Sequence, residues 1–217
     1  MPIDFAVISW ATFATFVIAS LVLAITPGPA VVYILTRTVT QGRQAGLASV
    51  AGVALGNLGN ALGASLGLAA LLAVSAVAFS IVKFAGAAYL VWLGVQALRA
   101  KGRPDGAAEA PRDAAARIFR DGFFVALLNP KTAIFFAAFL PQFIDPAHSA
   151  LSQSLLFGAL FVAVAGTTDT VWVMAASVAA PLLSRHESAR RAGRYATAGV
   201  YFGLGLFTAM GGARKGG

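Results

Sequence analysis

Long apolar runs separated by short, arginine-rich polar clusters set the pattern of this 217-residue chain. A helix that crosses a bilayer needs about 20 apolar residues. On that measure the runs predict six spans: about Phe5 to Leu35, Ala45 to Val74, Val77 to Leu98, Ile118 to Phe143, Leu151 to Leu183 and Tyr195 to Met210. The first run lacks a basic segment before it and is too long for the apolar region of a signal peptide, so it reads as a retained helix. The longest polar interruption, Arg99 to Arg117, predicts a loop.

Two of the six runs carry a break. In the first, Thr26-Pro27-Gly28-Pro29 stands in the middle of the apolar stretch. Proline has no N–H, and its ring clashes with the carbonyl four residues back. Pro27 and Pro29 therefore release the carbonyls of Leu23 and Ile25. The residues ahead of them, Thr26 and Gly28, are turned away from the α region. Asn129-Pro130-Lys131-Thr132 interrupts the fourth run in a similar way. Each motif lies roughly ten residues from an arginine, Arg37 or Arg120, which places both at ~15 Å depth, near the bilayer centre.

Three spans per half make the second half enter the membrane in the opposite sense. The expected fold is thus an all-α integral membrane protein with six transmembrane helices. They form two inverted three-helix repeats, residues 5–98 and 118–211, joined by the loop 99–117 within one transporter domain, 1–217. Helices 1 and 4 are the broken ones. Gly86-Ala87-Ala88-Tyr89 and Ala198-Gly199-Val200-Tyr201 give a weaker echo of the same symmetry. Broken helices at matching positions of inverted repeats point to a transporter binding site.

Composition agrees with this reading. Hydrophobic residues make up 59% of the chain and charged residues 11%, against about a quarter charged in soluble domains. Mean hydropathy is +0.80. The net charge of +8 comes from residues between the apolar runs, so it reads as anchoring charge and not as a nucleic-acid surface. Arg37, Arg43, Arg99, Lys101, Arg103, Arg112, Arg117, Arg120, Arg185, Arg190, Arg191 and Arg194 gather on one side. Arg214, Lys215 and Lys83 fall on the other. The side with the excess is cytoplasmic, which places both termini outside. The absence of cysteine excludes disulfides, thiol catalysis and thiolate metal sites.

The candidate chemistry collects at the breaks. A proline opens a half-helix without loss, because its N–H would be unbonded there anyway. Asn129 suits the N-cap ahead of Pro130. The free N–H groups of about Ala30 to Val32 and Lys131 to Ala133 would carry partial positive charge and suit a carboxylate. Lys131 and Asp169 fall deep within apolar runs, where a charge is costly and usually functional. As a pair they could be structural. Alternatively, Asp169 takes the substrate ammonium or a coupling proton and Lys131 helps hold the carboxylate.

Candidate substrate-binding residues are therefore Thr26, Pro27, Gly28, Pro29, Asn57, Asn129, Pro130, Lys131 and Asp169, with Asp169 also the proton-coupling candidate. Asn57 and Asn60 could line a polar path or bond across helices. Gly52, Gly56, Gly59, Gly63 and Gly67 repeat the four-residue spacing that lets helices approach closely. Tyr89 and Tyr201 read chiefly as packing residues. His148 and His186 share no ligand spacing. No catalytic constellation, metal site or cofactor is expected.

Together, Pro27-Gly28-Pro29, the glycine-rich second helix, Tyr89-Leu90-Val91-Trp92-Leu93-Gly94 and Asn129-Pro130-Lys131 resemble the LysE/RhtB amino-acid exporters. Asp169 followed by Trp172 is similar to that family's fifth helix. The resemblance implies a bacterial inner-membrane exporter of amino acids or close derivatives, driven by protons, and it allows a homodimer. Its implied partners are the amino acid, protons and membrane lipid. Efflux of another small solute or cation is the alternative within related exporters. A membrane-embedded enzyme or a structural subunit is the alternative outside them.

Overall fold

The computed structural model describes residues 9–65, 67, 76–99, 114–145, 147–183 and 187–210. These are all helical or connecting, with no strand among them. Eight helices follow in order: α1 Trp10–Ile25, α2 Pro29–Gln41, α3 Arg43–Ser65, α4 Ala76–Arg99, α5 Ala115–Leu127, α6 Pro130–Ile134, α7 Ala150–Leu183 and α8 Glu187–Met210. A π-helical stretch Phe135–Phe139 and a 3-10 turn Leu140–Phe143 continue α6.

Local chemistry explains the ends. Ser9 caps α1, its hydroxyl accepting from the Thr12 N–H at 3.1 Å. The helix stops at Thr26 because Pro27 has no N–H to give Leu23. Pro29 then opens α2, with Gly28 in an extended conformation ahead of it. The bend between the halves is 53°. Gly42 ends α2 at a φ of 90°, a conformation open mainly to glycine, and α3 begins at the next residue. On the other side, α5 stops ahead of Pro130, and the axis turns by 49° between Ala115–Leu127 and Pro130–Phe143.

Among the described residues two helices, α3 and the 150–180 part of α7, are each long and apolar enough to cross a membrane. The two bent pairs, α1 with α2 and α5 with the 130–143 segment, raise the number to four. The apolar stretch Tyr195–Met210 in α8 is shorter than a span. The molecule presents large apolar side chains outward, including Trp10 at 80% exposure, Val178 at 74% and Phe207 at 73%. Surfaces of that kind are incompatible with water and match a lipid environment.

The last helix starts at Glu187 and not at Tyr195, so Arg190, Arg191 and Arg194 lie on its opening turns and not in a loop. Similarly, Arg37 lies in α2 and Arg120 in α5. The second run, expected to continue to Val74, leaves the helix at Ser65, and Gly67 adopts a φ of 79°. Residues 5–8, 68–74 and 100–113, with Arg185, His186, Arg214 and Lys215, lie outside the described residues.

Glycines set the closest contact. A Cβ at Gly52 would run into the Phe119 carbonyl, and one at Gly56 into the Phe123 carbonyl. Reciprocally, a Cβ at Gly122 would lie 2.9 Å from the Ser49 carbonyl. α3 and α5 therefore pack backbone on backbone, as their small-residue spacing requires. α3 also packs on α7, α7 supports α1 and α2, and α4 pairs with α8.

The packed interior divides into two clusters. One centres on Tyr33, Ile34, Val53, Ile118, Val125, Val173 and Tyr201. The other centres on Phe16, Phe136, Leu140, Phe157 and Phe161. In the second, the Phe16 ring lies 4.7 Å from that of Phe157 and 5.2 Å edge-on from that of Phe143. The space between the two clusters is where the breaks meet.

Candidate functional site

A small recess opens between the clusters, with Val31 and Val53 on one side and Phe161 and Ala165 on the other. Gly28, Asn57, Asn129, Lys131, Thr132 and Asp169 supply its polar lining. Five of the nine candidate residues thus share one cavity. The other four do not line it. Pro29 and Pro130, together with Asn129, border a separate narrow crevice against Gly86, Leu128 and Thr208. Pro27 lines neither space, and Thr26 turns its hydroxyl back onto the Val22 carbonyl at 2.7 Å.

The two breaks are finished differently. At the second, Asn129 caps its own half-helix, its side-chain oxygen accepting from the Lys131 N–H at 3.1 Å. At the first, Gly28 brings no side chain to cap α2. Gly28, Ala30 and Val31 border the recess, so the uncapped positive end of α2 faces it.

Lys131 does not form an ion pair with Asp169, although both border the recess. Its ammonium crosses to the first break, donating to the Leu23 carbonyl at 2.7 Å and to the Thr26 carbonyl at 2.5 Å. Leu23 is the residue whose helical partner Pro27 removes. The second break is answered in the same manner. Pro130 releases the Ala126 carbonyl, and the Asn60 amide donates to it across the helix interface at 2.9 Å. Of the two asparagines, Asn60 therefore bonds between helices and Asn57 lines the recess.

This leaves two acceptors at the recess to which no side chain or backbone group among the described residues donates, Lys131 acting on Asp169 only through space. Asp169 is 5% exposed, and among the described residues nothing donates a hydrogen bond to its carboxylate. Asn57 is also 5% exposed, and its buried side-chain oxygen has no partner. An unmatched buried acceptor such as the Asn57 oxygen is costly, and a carboxylate beside it with no hydrogen-bond donor suits a donor arriving from outside the chain. Thr168 and Thr170 only bond back to carbonyls four residues earlier on α7, at 2.9 and 2.7 Å.

A second charged site lies away from the recess. Asp121 on α5 is fully buried. It accepts from Arg37 of α2 at 3.2 Å, from Tyr89 of α4 at 3.2 Å and from Arg120 at 3.3 Å. The Arg37 guanidinium also stands 5.4 Å over the Tyr33 ring, and the Tyr33 hydroxyl donates to the Ile118 carbonyl at 2.7 Å. Reading by runs passes over Asp121 because it sits among the arginines that bound a span. The helical period could have found it, because Asp121 shares a buried stripe with Ile118, Gly122 and Val125.

Among the described residues no cluster of histidine, cysteine or carboxylate side chains could hold a metal ion. His148 stands in the turn before α7, 3.3 Å from Asp145. There the Ala147 N–H donates to the Asp145 carboxylate at 2.8 Å and holds its carboxyl below the usual range.

The fold and the recess define a helical membrane protein with two proline-broken helices meeting at a polar cavity. Residues 21–212 match the family described as LysE type translocator, and the chain belongs to that family. It is 37% identical over 149 residues to the homoserine/homoserine lactone efflux protein of Salmonella typhi, covering 69% of this chain and 72% of that protein. It is 31% identical over 134 residues to the leucine efflux protein of Klebsiella pneumoniae, covering 61% and 63%. A membrane protein of Pseudomonas aeruginosa is 31% identical over 205 residues, covering 91% and 95%. No solved structure matches the chain.

Proposed function

We propose that this protein exports a small zwitterionic amino acid, or a close derivative, across the bacterial inner membrane in exchange for protons. The observation that carries the reading is the recess itself. It is bordered by the uncapped end of α2 on one side and by Asp169 and Asn57, which receive no hydrogen bond to their acceptor oxygens, on the other. The first suits a carboxylate, the second an ammonium or hydroxyl. Asp169 is the proton-coupling group in this reading, since a carboxylate can give up a proton as it takes the substrate ammonium. Lys131, on the lining of the recess, holds the first break in place beside it.

The same reading keeps six spans as two inverted repeats, with both termini outside and the arginine-rich side in the cytoplasm. It also allows a homodimer. It makes the protein a transporter and not an enzyme. Homoserine, homoserine lactone and leucine head the substrate panel, because relatives are named for their efflux.

The test is export from inverted membrane vesicles or proteoliposomes loaded from that panel under an imposed pH gradient. Wild type should move at least one panel member. Asp169→Asn should lose the gradient-dependent flux while inserting normally. Undiminished gradient-driven flux in that variant would sink the coupling role.

A further inference from the structure

Every cation-coordinating break in a membrane helix needs something positive against its exposed carbonyls. The last turn of a half-helix is the negative end of its dipole, and in broken-helix transporters such ends coordinate sodium or protons. Here the end of α1 has that form. Its Leu23 and Thr26 carbonyls converge on one point at 2.7 and 2.5 Å from the Lys131 ammonium. We infer that these carbonyls are a monovalent-cation site permanently filled by a cation of the chain's own, the Lys131 ammonium. This rests on the reading of the recess as the substrate site only in locating it, and not in assigning the cation.

Three observations support it. The first is the origin of the acceptors: Pro27 removes the partner of Leu23, so the need arises in α1 and is met from α6. The second is the room kept for the stem. A Cβ on Gly28 would stand 3.3 Å from Lys131 Cδ and 3.6 Å from its ammonium, so a larger residue would crowd the tether. The third is the choice of partner. Asp169 borders the same recess and is near enough for the two charges to act on each other, and an ion pair would be the simpler use of a half-buried lysine. The ammonium lies on the carbonyls instead. Lys131 is therefore a positioning residue. It holds the first break in shape and leaves Asp169 open to an ammonium from outside, and the site needs no sodium.

Replacing Lys131 by alanine removes the atoms of a propylammonium and should leave a vacant site of that shape. Purified Lys131→Ala should gain thermal stability with rising propylammonium, with a smaller shift from sodium. Choline at equal ionic strength should do nothing, and wild type should respond to none of them. In proteoliposomes, export by Lys131→Ala should fall on the order of tenfold, as befits backbone acceptors within a span left without their charged donor, and propylammonium should restore part of it. The double variant Pro27→Ala/Lys131→Ala regains an N–H for Leu23 and should melt above Lys131→Ala alone. That comparison also serves if the single variant purifies poorly, since recovered yield in the double variant supports the assignment. Equal responses to propylammonium and choline, or a double variant no more stable than the single one, would overturn it. Wild-type flux decides the export reading separately, because the melting shifts need no transport.

Discussion

A proline inside an apolar helix leaves a carbonyl that some donor must meet, and here both donors come from distant helices. Asn60 meets Ala126 and Lys131 meets Leu23. Asn60→Leu keeps the volume and removes the donor. Because the Asn129 N–H also reaches Ala126, at 3.1 Å, the loss should be near the low end of the ~1–3 kcal/mol range for an unmet buried acceptor. A modest fall in Tm in detergent would show it. Asp121 should behave differently. Asp121→Ala removes the buried acceptor shared by Arg37, Tyr89 and Arg120, and should cost about 3–5 kcal/mol. Its Tm should fall well below that of Asn60→Leu, and equal melting of the two variants would argue against a structural ion pair. The sequence alone pointed to the carbonyl at Leu23 but not to the residue answering it. Lys131 was legible as a buried charge, yet which of two nearby acceptors it serves depends on the trajectory of a flexible four-carbon stem.

At the scale of elements, the α3–α5 contact sets backbone against backbone, because carbonyls of one helix sit where the other has no side chain. Gly52→Val should force the two apart at a cost on the order of 1–3 kcal/mol or more, since the obstacle is backbone and cannot rotate away. Gly67→Val, outside the helix and with nothing near its missing side chain, should be limited to the strain of its positive φ. Comparing the melting of the two separates packing from conformation. The glycine spacing was readable from the chain, and so were the ends of most helices, because proline and glycine act locally. What could not be read was the partner. Spacing says that something approaches, whereas only the assembled helices show that it is α5. The unequal capping of the two breaks was also hidden, since Gly28 and Asn129 both suit a helix start and their difference matters only once one end faces a cavity.

For the whole molecule, proton-driven export predicts a dependence on the gradient and not on pH alone. With equal pH on both sides, net export against a concentration difference should stop, and a protonophore should abolish it under an imposed gradient. Uphill accumulation that survives the protonophore would exclude proton exchange. The apolar runs gave the helical membrane class directly, because burying backbone polar groups in lipid leaves so few choices. The fully buried Asp121 network was the main element of the interior that they concealed.

The Lys131 link has one mechanical consequence. Its backbone belongs to the second proline joint and its tip is fastened to the first, so it acts as a tie-rod between two hinges. Two independent hinges would give four combinations of bent and straightened. A tether held by two hydrogen bonds disfavours the mixed ones that would break it and so favours the two joints turning together. Distance measurements between labels flanking each break should then change in concert in the native chain, and lose that correlation when the rod is cut at Lys131.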